Sequence, residues 1–184
     1  VKETKLPNGY RVRTYQTDDF NEVISLRGRS TEKFDYVDIP QQEMWLQKLE
    51  EYPKSASPIS LVLLRSNEII GFVFGATHKD MVAVKRGQSE TTLTVSVIDD
   101  LFFKEDEVQN VQGFVSHALK QCNINGGGMV IHSTSGPTHN LVLKKSGFMS
   151  RGAPPTWVMY KPLREGVDSR FESIRSYCEL SPLP

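Results

Sequence analysis

The chain has 184 residues, 38% of them hydrophobic and 24% charged, and its 22 Lys and Arg balance its 22 Asp and Glu. That composition fits one ordinary globular domain, long enough to bury a core. The charge balance excludes a global field for nucleic acid or an anionic membrane, and no apolar run approaches the roughly 20 residues that span a bilayer.

Val1-Lys2-Glu3-Thr4-Lys5 lacks the apolar core of a signal peptide. The first residue is not Met, so a processed chain or a piece of a longer polypeptide is expected. Cys122 and Cys178 lie far apart and fit no metal or redox motif. Two reduced thiols in a cytoplasmic protein are favoured over one disulfide.

Asn8-Gly9 marks a turn, and 10–15 alternates as a half-buried strand. Thr17-Asp18-Asp19 reads as a cap and acidic first turn. Phe20, Val23, Ile24 and Arg27 then follow at helical spacing, with Gly28 as the stop. Pro40 suits the start of a second helix, whose apolar side is Met44, Trp45, Leu46 and Leu49 and whose end is Pro53. A hairpin follows, 59–65 and 69–77, joined by Ser66-Asn67-Glu68. Residues 78–90 read as a loop.

A long strand is predicted over 91–103, with alternation that slips near Ile98–Leu101, as at a bulge. Residues 108–121 form an amphipathic pattern, with Val111, Phe114, Val115, Ala118 and Leu119 on one side. Gly126-Gly127-Gly128 is a turn, and 129–132 a short buried strand. Residues 137–146 predict a helix closed by Gly147 in the left-handed conformation. Strands at 148–151 and 156–160 finish the ordered pattern. The order is β-α-α-β-β-β-α-β-α-β-β, a mixed α/β or α+β fold.

Between strand 91–103 and the helix after it lies Lys104-Glu105-Asp106-Glu107-Val108-Gln109-Asn110. A helix N-terminus after a strand is where α/β proteins commonly hold a phosphate-bearing ligand. This turn carries three consecutive acids and no glycine before Gly113. At about 6 Å and an effective dielectric near 20, each repulsive pair with a diphosphate costs about 2–3 kcal/mol. A helix N-terminus returns only about 0.3–2 kcal/mol. Either the acids repel such a ligand, or they favour the helix start and point at water.

Two segments carry a family likeness. Ile98-Asp99-Asp100-Leu101-Phe102-Phe103 is an acidic pair followed by an L-[FY]-V-like strand. Leu143-Lys144-Lys145-Ser146-Gly147-Phe148, with Trp157-Val158-Met159-Tyr160-Lys161-Pro162-Leu163, looks like a closing Y-x-K-x-G-F … M-x-K-x-L pattern with leucine in the tyrosine's place. In this order the chain resembles the GNAT N-acetyltransferase superfamily. The resemblance implies a GNAT-like acyltransferase domain over 1–163 and a C-terminal tail over 164–184. It implies a mixed, mostly antiparallel twisted sheet of six to seven strands flanked by about four helices.

It further implies acetyl-CoA or another acyl-CoA as co-substrate. The fourth and fifth strands of such folds splay to admit the pantetheine arm, which here would pair with the backbone of 94–98. The cofactor would lie along Leu101, Phe102 and Phe103 and on the turn residues Gln109, Asn110, Val111 and Gly113. The family's R/Q-x-x-G-x-G/A turn is not matched, and Leu143 stands where a tyrosine often protonates the leaving thiolate.

Asp99 and Asp100 are the candidate general bases; the competing reading is a solvated strand-end pair. Phe34 and Tyr36, beside Trp45, are candidates for the acceptor pocket. His132 and His139 are candidates at the substrate mouth; the competing reading for both is a core or capping role. No spacing suggests a metal. The function expected is transfer of an acyl group to an amine of a small molecule or sugar, with no nucleic-acid or membrane partner. The alternative is a catalytically degenerate GNAT-like binding or structural domain, such as half of a tandem protein. A monomer, a homodimer or part of a larger polypeptide all fit.

Overall fold

A computed structural model of the chain describes residues 4–31, 47, 50, 57–83, 91–134, 137–153 and 156–163. In chain order the elements are β1 (Tyr10–Thr14), α1 (Phe20–Thr31), β2 (Pro58–Arg65), β3 (Glu68–Ala83), β4 (Thr91–Phe103), α2 (Gln112–Ile124), β5 (Met129–Thr134), α3 (Pro137–Lys145), β6 (Met149–Ala153) and β7 (Thr156–Pro162). They build one seven-stranded sheet in the order β1-β2-β3-β4-β5-β7-β6. Among the described residues β4 and β5 run parallel and every other pair is antiparallel. This is the predicted mixed α/β sheet.

The apolar run of β2 is unbroken because both faces of the sheet are covered. Ile59 and Leu63 join the cluster under α2 and α3, with Ile70, Val73, Leu101, Phe103, Phe114, Leu119 and Leu143. Val62 and Leu64 point the other way, to Val23 and Leu26 of α1 and to Phe72 and Phe74. α1 is pinned at its start by a forked ion pair, Arg13 to Asp19, at 2.6 Å. The Gln16 N–H donates to the same carboxylate at 2.7 Å.

Several boundaries differ from expectation. α1 runs through Gly28 to Thr31; nothing lies within 4 Å of a Cβ built at Gly28, so no packing stops the helix there. The β2–β3 turn is two residues, Ser66 and Asn67, both at positive φ (49° and 73°), the φ signature of a type I′ hairpin. Residues 78–83 are strand, not loop: Met81, Val82 and Ala83 pair with Leu93, Thr92 and Thr91 after a register break. Strand β4 needs that partner, since an unpaired half-strand would leave its backbone groups unsatisfied. β5 extends two residues past 132, to Thr134. The predicted second helix lies outside the described residues except at Gln47 and Glu50, which are helical.

Gly147 closes α3 as expected. Its φ is +83°, and the Phe148 N–H reaches the Leu143 carbonyl (3.0 Å) while the Gly147 N–H reaches Lys144 (2.9 Å), a Schellman pattern.

The β3–β4 ladder holds the feature on which the site depends. Phe74 faces Asp100 and Gly75 faces Ile98, so Asp99 is an extra residue in β4, a β-bulge within the predicted stretch. A Cβ on Gly75 would sit 2.1 Å from the Val97 carbonyl oxygen and 2.9 Å from the Ile98 Cα. Gly75→Ala is therefore expected to destabilise the fold by about 3 kcal/mol or more. The urea midpoint should fall accordingly; an unchanged midpoint would show that the two strands need not lie so close.

Candidate functional site

β4 and β5 are hydrogen-bonded for only part of their length. Their register runs from Val95 opposite Met129 to Ile98 opposite His132. The closed end is held tightly, with the Gly128 N–H donating to the Thr94 carbonyl at 2.8 Å. Beyond Ile98, β4 continues through Asp99–Phe103 without β5. β5 instead stays with β7, where Ser133 and Thr134 face Val158 and Trp157. The two strands part at the bulge and leave a wedge between them.

Two buried histidines stand at that wedge. His132, 5% exposed, is 2.7 Å from the Ile98 carbonyl through Nδ1. The carbonyl can only accept, so Nδ1 carries the proton and Nε2 holds the lone pair. His139 comes from the first turns of α3 and is 8% exposed. Its ring lies 4.4 Å, centroid to centroid, from the Phe103 ring and 6.3 Å from the Phe102 ring, with the Leu101 backbone in hydrogen-bonding reach. Ile98 is the last residue of β4 still opposite β5, where His132 closes the apex, and Leu101 lies in the stretch that β5 has left, where the His139 ring sits instead. Burial lowers the pKa of both rings. His132 is lowered against the opposing pull of Ile98, Asp100 and Asp99. His139, also near His132, is lowered to about 4.

The acidic turn is folded so that its charges do not act together. Residues Glu105–Glu107 form a short 3-10 turn, and α2 begins at Gln112 rather than 108. Glu107 is 1% exposed. It accepts from the Tyr10 hydroxyl at 2.6 Å and from the Asn110 amide at 3.1 Å, and it pairs with Arg65. Burial alone would raise the Glu107 pKa, but the Tyr10 and Asn110 hydrogen bonds and the Arg65 charge hold it below the usual carboxylate range. Tyr10 and Arg65 belong to β1 and β2, on the side of β4 away from β5. The carboxylate therefore points away from the wedge. The charge of Asp106 is felt at Arg65, that of Glu105 at His139. Of the three acids, Glu105 is the one on the wedge side. Lys104 is paired with Glu68 of β3.

The other predicted site residues divide. Asp99 is the bulged residue and is exposed, and Asp100 is half-buried, within charge reach of Arg27 on α1. Leu101 and Phe103 are buried toward α2 and α3. Phe102 faces the other way, stacked on Phe72 at 5.1 Å and under the Arg27 guanidinium at 5.9 Å. Gln109 is exposed and Val111 buried. The Asn110 side chain is turned to Glu107 and Tyr10. Gly113 is covered by the chain's own N-terminal segment: a Cβ there would meet the Lys5 carbonyl and the Leu6 side chain at 3.0 Å. The helix start thus offers backbone N–H groups but no glycine open to a ligand.

Leu143 is fully buried and carries no proton to give. Phe34, Tyr36 and Trp45 lie outside the described residues. Cys122 is a free buried thiol, pushed up to about 12 by burial and so unreactive. No described helix is long and apolar enough to cross a membrane.

No protein-family profile and no curated protein matches the chain. Solved structures do. A GNAT-family acetyltransferase from Streptococcus pneumoniae superposes with a TM-score of 0.60 at 16% identity, over 84% of this chain and 99% of its own. The PaiA N-acetyltransferase of Thermoplasma acidophilum, solved in complex with coenzyme A, gives 0.58 at 14% identity, over 83% and 98%. The ribosomal-protein-S18-alanine N-acetyltransferase of Escherichia coli gives 0.60 at 9% identity, over 85% and 96%.

The chain has the GNAT fold. Identity this low establishes architecture alone.

The two histidines give this site a pH signature. An unfolded imidazole titrates near 6.5, and folded His139 near 4. Between those values the unfolded chain binds more protons, so stability is complete above about pH 6.5 and falls as pH drops toward 4. For His139 the loss is about 3 kcal/mol. Glu107, depressed in the fold, contributes stability that is present above its unfolded value of 4.5 and lost as pH falls through its lower folded pKa. Thermal melts from pH 7.5 to 3 should show both windows, and His139→Gln should shrink the upper one to the share of His132 while leaving the lower one unchanged. A melting temperature level from pH 6.5 to 4.5 would contradict the burial of these rings.

Proposed function

We propose that the chain is an acyl-CoA-dependent acyltransferase whose thioester arm enters the wedge between β4 and β5 and whose acceptor is an amine. One observation carries this reading: the parallel pair ends at Ile98 and His132 while both strands run on. Extended amide-bearing ligands recognise an open strand edge by backbone hydrogen bonding; the 94–98 stretch expected to pair with the arm is already taken by Gly128 and β5, and the open edge of β4 lies beyond Ile98. The solved structure of a similar chain in complex with coenzyme A supports the co-substrate.

In the proposed step the amine nitrogen attacks the thioester carbonyl carbon. The C–N bond forms, the C–S bond breaks, and coenzyme A leaves as a thiolate. Asp99 takes the proton from the amine, because it sits on the bulge at the mouth of the wedge and is open to solvent. Asp100, within charge reach of Arg27, positions that side of β4. With Leu143 buried, water protonates the thiolate. The backbone N–H groups opening α2 hold the diphosphate, against one acid on that side, Glu105. Among similar chains is a ribosomal-protein-S18-alanine N-acetyltransferase, so protein amines join small amines as candidates.

One observation favours the non-catalytic alternative. His139 already occupies the Leu101 edge and packs on Phe103.

Melting with increasing acetyl-CoA decides between the two. A ligand at 100 times its Kd adds about 2.7 kcal/mol, so the melting temperature should climb and saturate with acetyl-CoA but not with acetate. No rise at millimolar concentration rejects catalysis by this route in the wild-type chain. Given binding, Asp99→Asn should lower turnover about 100-fold, measured as free thiol released with a panel of small amines and N-terminal peptides, with acetyl-CoA affinity preserved. Equal turnover would remove Asp99 as base.

A further inference from the structure

We propose that His139 is a built-in gate of the wedge: its imidazole takes the Leu101 backbone position that a ligand's amide would take, and the arm binds only when the ring swings out. The inference rests on the wedge being the acyl-CoA site. Four observations support it. The Leu101 edge belongs to the part of β4 that β5 has left. The ring is within hydrogen-bonding reach of that edge and buried against Phe103, so ring and ligand arm compete for one place. It comes from α3, across the mouth from β4, so moving it breaks no strand pairing. Its neighbour His132 is a different case, because its Nδ1 is fixed on Ile98 at the last paired position and closes the apex rather than the mouth.

A gate differs from an abandoned site in what its removal does. In a gated wedge, deleting the ring creates binding. In an abandoned one, deleting the ring leaves a hole in the core that weakens folding and binds nothing.

The test is calorimetric titration of coenzyme A into the full-length wild type, His139→Ala, His139→Ser and His139→Phe, each checked for folding by circular dichroism. The serine variant serves where alanine does not fold. Affinity should rise at least tenfold in the alanine or serine variant. His139→Phe, which keeps a ring in the wedge, should bind no more tightly than wild type. If wild type and the small variants bind equally, the gate is overturned and the wedge remains the acyl-CoA site. If none binds at millimolar coenzyme A, the gate and the wedge reading fall together. If His139→Phe gains as much as His139→Ala, the ring is not the obstacle and the gate is overturned.

Discussion

Parting two neighbouring strands inside a sheet leaves backbone groups with no partner, and a buried carbonyl without a donor costs about 1–3 kcal/mol. The GNAT sheet of this chain parts β4 from β5 after four residue pairs, and everything around the wedge answers that constraint. Asp99 is bulged out of the β3 ladder, which bends β4 as it leaves its parallel neighbour. Gly75 lets β3 follow the bend, since any side chain there would run into Val97 and Ile98. His132 donates to the Ile98 carbonyl, and the His139 ring lies within hydrogen-bonding reach of the Leu101 backbone.

The turn before α2 shows how little a charge count says without direction. Three acids in a row suggest a repulsive wall. In the fold they separate, because the 3-10 turn fans their side chains out. Glu107 becomes a strut between β1, β2 and the start of α2, buried and satisfied by Tyr10, Asn110 and Arg65. This strut also explains the late start of α2. Asn110 donates its N–H to the Glu107 carbonyl and its amide to the Glu107 carboxylate, so 108–111 wind as turns before the α-helix can begin. Packing Leu6 against Gly113 uses the same corner. The glycine there serves the chain's own N-terminal segment.

Much of the architecture was legible because it rests on local rules. Alternation marked β4 to the residue, and the phase slip placed the bulge. Gly147 marked the end of α3 through its positive φ. What escaped depends on partners distant in sequence. Residues 78–83 read as a loop because His78, Lys79 and Asp80 are polar, yet the early half of β4 draws them into the ladder. Gly28 reads as a stop, but α1 runs on to Thr31, with open space around the glycine and φ outside the left-handed region. At the site, the parting itself was expected from the family likeness. The inward turn of Glu107 and the seat of His139 were not, since each is decided by a contact with a residue 36 or more positions away (Phe103 for His139, Arg65 for Glu107). For His139 the nearest available signal was a histidine two residues into a helix that follows a buried strand.

A chain that had no further use for the wedge would have a simple repair. Zipping β5 onto β4 would replace side-chain contacts with backbone hydrogen bonds and spare two imidazoles their burial. This sheet keeps β5 on β7 instead. Neutral histidine suits a removable filling. Its ring supplies one N–H to a carbonyl, as a ligand amide would, and the net value of such a bond, about 0.5–1.5 kcal/mol, is nearly the same for either donor. Exchange of ring for ligand is then decided by packing on Phe103 and by whether the displaced ring is hydrated. An aliphatic side chain in the same seat would satisfy no carbonyl and would surrender apolar burial on leaving. The imidazole closes the wedge while keeping β4's hydrogen-bonding edge intact for another occupant.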